Sequence, residues 1–166
     1  MESRRIRYNG EGISLRGEKG RFILPPEFRK ALKESGDGEK VLCLQAHPTL
    51  NCVVGFGPSR EYDFDAQLDR EEEAALRLNR EFDRQNRSTL LFSFAKVPFD
   101  ESGRFIMPER FMGSAKIDDR LFFLAAGPEF LMFCPDELMQ LPDANWRHAK
   151  LACADRAAQA AARGRK

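Results

Sequence analysis

Gly17-Glu18-Lys19-Gly20-Arg21-Phe22-Ile23-Leu24-Pro25-Pro26-Glu27-Phe28 returns later in the chain as Asp100-Glu101-Ser102-Gly103-Arg104-Phe105-Ile106-Met107-Pro108-Glu109-Arg110-Phe111. The copies share the Glu, the Gly-Arg-Phe-Ile run, the Pro and the closing Phe, with Met107 in place of Leu24. Gly and Pro set backbone geometry, and Phe-Ile-Leu/Met reads as a short buried run. The arginine has no structural need at that place, so its repetition poses the functional question.

Outward from the first copy, Tyr8 to Leu15 alternates imperfectly and reads as a strand. Gly17 to Gly20 is a turn and Arg21 to Leu24 the returning strand, so a hairpin is expected, with its two glycines free to take positive φ. Pro26 suits the first turn of a helix. Phe28, Ala31 and Leu32 give that helix an apolar face, and Gly36-Asp37-Gly38 closes it. Val41 to Leu44 and Leu50 to Phe56 read as strands flanking the His47-Pro48 turn. This half is therefore β-β-α-β-β.

The same order recurs after a connecting segment. Phe64, Leu68, Ala75, Leu76 and Phe82 have helical spacing, and Leu90 to Val97 reads as a strand entering the second copy. There Leu121-Phe122-Phe123-Leu124 matches Val41-Leu42-Cys43-Leu44, with a shorter helix-to-strand loop. A whole unit is duplicated. The expected division is a first repeat at 8–58, a linking helix at 59–89, a second repeat at 90–138, and an alanine-rich helix with a basic tail at 143–166. Residues 1–7 read as a flexible basic arm, and Pro135 to Leu141 as a short closing helix.

A repeat of this size buries too little surface to stand alone, so the halves must pack together or several chains must associate. The net charge of +1 says little about partners, but charge is segregated. Arg4, Arg5, Arg7, Arg16, Lys19, Arg21, Arg29, Lys30 and Lys33 outnumber the acids of the first 34 residues. Acids dominate 59–83. That suits a polyanion-binding face with an acidic side elsewhere, and equally suits solvated helix faces. With no apolar run of export or membrane length, Cys43, Cys52, Cys134 and Cys153 read as reduced thiols in a cytoplasm.

Arg21 and Arg104 each follow a Gly at the mouth of a turn. A guanidinium there can fork onto phosphate or guanine. The plainer alternative is an ion pair, Arg21 with Glu18 or Arg104 with Asp100. Lys19, Arg16, Arg29 and Lys30 surround the first loop as phosphate contacts or as ordinary surface charge. The second copy has Ser102 for Lys19 and Met112 for Arg29, so the first copy is expected to grip DNA more strongly. Cys43, His47 and Cys52 lack the spacing of a metal site, and their counterparts Phe123 and Met132 mark Cys43 and Cys52 as core. His47 and His148 form no triad motif, and Gly10-Glu11-Gly12 is no phosphate loop. Neither an enzyme, a cofactor nor a metal is expected.

Tyr8-Asn9-Gly10, the Gly-Arg-Phe-Ile-Leu-Pro run with Phe28-Arg29, their second copies and the Arg80 to Arg87 stretch resemble the MraZ family. These are bacterial transcriptional regulators built of two tandem SpoVT/AbrB-like repeats. The resemblance covers about residues 8–141. It implies a β-rich α+β fold, a swapped-hairpin double-split barrel in which the repeats form a pseudo-dimer. It also implies ring-shaped homo-oligomers on direct repeats in the promoter of the division and cell-wall gene cluster, including the chain's own gene. Family members carry Asp-x-x-x-Arg in each repeat, with the first-loop arginine, here Arg21, at the DNA. Asp100 keeps that pattern with Arg104, whereas Gly17 replaces the first Asp, where Glu18 could substitute or the loop could loosen.

The expectation is thus an oligomeric regulator of the cytoplasm and nucleoid that binds double-stranded promoter DNA, without membrane contact, cofactor or small-molecule substrate. Arg21, Lys19, Arg16, Arg29, Lys30, Arg104 and Asp100 are its expected site. Competing readings are an oligomeric scaffold that binds no DNA, and an antitoxin-like DNA binder with a protein partner.

Overall fold

Four strands bury both of their faces, and their side chains alternate between two cores. The structure, a computed structural model, describes residues 5–163. The outermost residues of the expected arm (1–4) and basic tail (164–166) lie outside the described residues. In order the elements are β1 (Glu11–Leu15), β2 (Arg21–Ile23), α1 (Pro26–Ser35), β3 (Val41–Ala46), β4 (Val53–Phe56), α2 (Phe64–Arg77), α3 (Arg84–Phe92), β5 (Ala95–Pro98), β6 (Arg104–Ile106), α4 (Glu109–Ser114), β7 (Arg120–Ala125), β8 (Phe130–Phe133), α5 (Pro135–Met139) and α6 (Asp143–Arg163). The β-β-α-β-β order of each copy holds.

Leu42, Leu44, Val53, Leu121, Phe123, Phe130 and Met132 enter one core, with Phe22, Phe28, Phe105 and Phe111. Cys43, Val54, Phe56, Phe122, Leu131 and Phe133 enter the other, with Phe64, Leu68 and Leu91. This is the two-residue period of a strand. Tyr8, Phe28 and Phe130 close the first core, with the Tyr8 and Phe28 rings each 4.9 Å from Phe130.

The strands form a six-stranded sheet in the order β1-β7-β8-β4-β3-β5, plus the separate pair β2-β6. All pairs are antiparallel. The copies trade partners: β1 runs along β7, β5 along β3, β4 along β8 and β2 along β6. The expected β1–β2 hairpin is therefore corrected. The chain does turn at Gly17–Gly20, but β1 and β2 then enter different sheets, linked by the Ile23 amide donating to Ser14 Oγ at 2.8 Å. Alternation fixes which side of a strand faces inward and leaves its neighbour open. Pairing across the copies gives each small half the buried surface it lacks alone.

The linking segment is two helices rather than one. Leu90 to Phe92, expected in a strand, lies in α3, and β5 starts only at Ala95. The Asp83 carboxylate accepts from the Asn86 amide and caps α3, which starts a helix. Arg84 pairs with Asp69 and Glu72, and Arg87 makes a bidentate pair with Glu71, so both arginines hold α3 on α2. β4 is also shorter than expected, because Leu50 to Cys52 belong to the turn before it.

The alanine-rich end is the helix α6. It buries Ala149 and Cys153 and sets Trp146 against Phe133, ring centres 5.7 Å apart. Arg156 reaches Glu11 of β1 at 3.4 Å. Small side chains let α6 lie close over the second core. Among the described residues no helix is long and apolar enough to cross a membrane.

Candidate nucleic-acid interface

β2 and β6 form a short ribbon with Arg21 opposite Ile106, Phe22 opposite Phe105 and Ile23 opposite Arg104. Alternation sends Phe22 and Phe105 inward, their rings 6.2 Å apart. The outer face then carries two arginines and two isoleucines, arginine diagonal to arginine. The expected buried Phe-Ile run is corrected here: Ile23 is 49% exposed and Ile106 59%. Strand alternation through Arg21-Phe22-Ile23 was the signal that places Ile beside Arg and not beside Phe.

The loops at the ribbon's ends share a backbone frame. In the first, the Gly17 amide donates to Arg21 O at 2.8 Å; in the second, the Asp100 amide donates to Arg104 O at 3.1 Å. Only the second adds a side chain. Asp100 Oδ1 accepts the amides of Ser102 and Arg104, each at 2.9 Å. Those bonds, the Arg104 amide foremost, together with the guanidinium charges of Arg104 and Arg21, hold the Asp100 carboxyl below its ordinary value. The first loop closes instead as a 3-10 turn, where the Arg21 amide bonds Glu18 O and Lys19 takes a left-handed φ of 58°. Of the two glycines expected to use positive φ, Gly20 does, at 68°, while Gly17 is extended.

Arg21 makes no ion pair with Glu18, the acid of its own loop expected to hold it. Its Nε donates to Glu18 O at 3.3 Å, and its Nη1 lies 3.9 Å from Asp100 Oδ2 of the other copy. Arg104 is exposed at the opposite corner.

Strand exchange also moves α1. The Leu24 amide donates to Gly103 O at 2.9 Å, so the helix that follows β2 lands beside the second loop. Arg29 Nη1 donates to Glu101 O at 3.1 Å, and its stem covers Gly103, where a β-carbon would meet Arg29 Cδ at 3.3 Å. Arg29 therefore belongs to the second loop, not to the first as expected. Lys40 hydrogen-bonds the Glu101 carboxylate, and with Lys33 holds it below its ordinary value. Lys33 and Lys40 are not among the expected site residues, because only the exchange brings them to this loop. At the first loop the Arg16 guanidinium covers Gly20, Nη2 lying 3.1 Å from where a β-carbon would stand. Lys19 is exposed there, and Lys30 is exposed on α1.

The residues set aside in the sequence are structural. Cys43 and Cys52 are buried, and burial pushes their thiols up to about 11 and about 12. His47 Nδ1 accepts the amides of Thr49 and Leu50, so it organises the turn before β4.

What gathers on this side is a narrow ribbon with two forked cations on one face and a rim of lysines and arginines. A major groove admits a two-stranded ribbon, and guanidinium matches guanine or phosphate.

Comparison with known proteins gives a consistent answer. No family model matches the chain. A Transcriptional regulator MraZ of Methylococcus capsulatus is 30% identical over 118 residues, 71% of this chain and 72% of its own length. That of Parvibaculum lavamentivorans is 30% identical over 140 residues, 81% of this chain and 78% of its own. That of Pseudomonas syringae pv. syringae is 27% identical over 128 residues, 76% and 80%.

Proposed function

The chain belongs to the MraZ family of transcriptional regulators, and from that premise we propose that it binds promoter DNA through the outer face of the β2–β6 ribbon. The observation that carries this reading is the placing of Arg21 and Arg104 on one exposed face, diagonal across one strand pair. In this reading Arg21 and Arg104 read or clamp the duplex. Lys19, Arg16, Arg29 and Lys30 neutralise phosphates along the rim, and Asp100 holds the second loop and orients Arg21.

The fold reading that goes with it is a swapped-hairpin double-split barrel of two SpoVT/AbrB-like repeats, at 8–58 and 90–138, with 59–89 as linker and 143–166 as a terminal element. The trading of β1 and β5 between the copies supports it. Several chains in a ring would present several ribbons at regular intervals, which suits direct repeats in DNA. The target is the promoter of the division and cell-wall gene cluster, including the chain's own gene, and the place of action is the cytoplasm and nucleoid. Footprinting on the region upstream of its own gene tests this: protection should fall on evenly spaced short repeats, and uniform protection or none contradicts it.

A second reading has one observation in its favour. Ile23 and Ile106 are exposed on the same face as the arginines, as a contact between copies of a scaffold would require. The two readings part on salt. Binding through several phosphates weakens steeply as salt rises, whereas a scaffold retains no DNA to release.

A further inference from the structure

Away from the ribbon, a polar cleft of about 900 Å³ opens between the N-terminal arm and the start of the linker. Arg5, Arg7, Arg60 and Arg70 line it against one lining carboxylate, Asp63. None of its lining residues belongs to β2, β6 or their loops.

Its floor is built by the exchanged fold. The Tyr8 amide donates to Gly127 O at 2.8 Å, which fixes the arm to the second copy. The Tyr8 ring packs edge-on against Phe28 and Phe130. That leaves the hydroxyl buried beside the Gly57 backbone, with no acceptor for its proton among the described residues. Tyr8 is only 3% exposed. Beside it, Ser35 Oγ and Ser59 Oγ lie 2.6 Å apart, and the Ser59 amide donates to Ser35 Oγ at 3.0 Å. Gly57 leaves the space they need, since a β-carbon there would fall 2.2 Å from Ser35 Oγ. Arg60 lies across the ring of Phe64, donates from Nη2 to Gln67 at 2.6 Å and sets Nη1 3.8 Å from Asp63, yet its Nε is buried without a partner among the described residues.

Buried donors left unpaired carry a desolvation cost that an acceptor removes. Two such donors, two hydroxyls and an excess of guanidinium over carboxylate together describe an acceptor-rich, multiply charged anion. We infer that this cleft is a binding site for a small organic diphosphate, with Arg7, Arg60 and Arg70 on the phosphates and Tyr8 and Ser59 donating to their oxygens. The size of the cleft leaves room for the organic part against Ile6, Ala66 and Pro128. The site is independent of the DNA reading of the ribbon.

The probe is inorganic pyrophosphate, titrated into the full chain by calorimetry, with sulfate at equal ionic strength as the comparison. Pyrophosphate should bind at least about tenfold more tightly than sulfate. The surface pair Arg7→Gln/Arg70→Gln should weaken it by about tenfold or more, the scale of losing charged hydrogen bonds. Arg77→Gln/Arg163→Gln, an equal charge change elsewhere, should leave it unchanged. Tyr8→Phe, which keeps the ring packing, should weaken it as well. Equal binding of sulfate and pyrophosphate overturns the proposal, as does equal weakening by both arginine pairs. So does loss of promoter affinity in Arg7→Gln/Arg70→Gln without any pyrophosphate binding, which would make the cleft a DNA phosphate contact.

Discussion

Arg21 of the first copy lies 3.9 Å from Asp100 of the second, and Asp100 at the same time accepts the amides of Ser102 and Arg104. One carboxylate thus joins the two loops: one oxygen shapes its own loop and the other faces the neighbouring copy's arginine. The two repeated arginines are parts of one surface, where the linear sequence presents them as two separate sites.

Removing that carboxylate should affect both ends of the ribbon. Asp100→Ala is expected to lower promoter affinity while leaving the folded core intact. Faster hydrogen exchange at the Ser102 and Arg104 amides is the direct readout. Unchanged exchange there would mean that the backbone alone holds the loop.

The first loop lacks the equivalent acid, and the structure has room for it. Gly17 has an extended backbone, and a β-carbon would meet nothing closer than Arg21 O at 3.7 Å. Gly17→Asp should therefore be accommodated and slow exchange at the Arg21 amide. It should add about 0.5–1.5 kcal/mol of stability, the usual worth of one such bond, read as a rise in urea midpoint.

Gly55 of β4 sits against β8 of the other copy. A β-carbon there would lie 2.5 Å from Cε2 of the buried Phe130 ring and 2.9 Å from Met132 Cε. Gly55→Ala should cost about 1–3 kcal/mol through overpacking, seen as a single lowered unfolding midpoint. Two separate transitions would mean that the copies do not share a core.

His47 gives the chain a pH dependence. Burial, and then the charge of Arg87, hold its imidazole below the ordinary value, and Nδ1 must stay unprotonated to accept the Thr49 and Leu50 amides. Between the lowered folded value and the ordinary unfolded one, the unfolded chain binds more protons. Acidification below about pH 6.5 therefore destabilises the fold, and stability returns as pH rises through that window. His47→Asn keeps a side-chain acceptor that does not titrate. It should flatten the difference in urea midpoint between pH 7.5 and pH 5.5.

Much of this molecule was legible in its residues. Gly-Arg-Phe-Ile recurring with Pro and Phe at fixed offsets gave the duplication, and Pro26 with Phe28 and Leu32 gave α1. Partner choice was not legible. Tyr8 to Leu15 has the same alternation whether β2 or β7 lies beside it, so the exchange was hidden, and with it the move of Arg29, Lys33 and Lys40 to the second loop. Leu90-Leu91-Phe92 is equally apolar in a helix or a strand, and Asp83 three residues before Asn86 was the cap that decided it. Ile23 and Ile106 belong to an apolar run that suggests burial, although their neighbours on the same face are arginines and both are exposed.

The most direct test of the central claim is the affinity of Arg21→Ala, Arg104→Ala and the double variant for DNA from upstream of the chain's own gene. It is measured by fluorescence anisotropy at 150 mM salt, with oligomeric state followed in parallel. Each single variant should weaken binding by about 1–3 kcal/mol, the value of one guanidinium on a base edge, and the double variant should bind no better than to unrelated DNA. All three should keep the parent's oligomeric state. Parent-like affinity in the double variant would contradict the ribbon as the DNA-binding face.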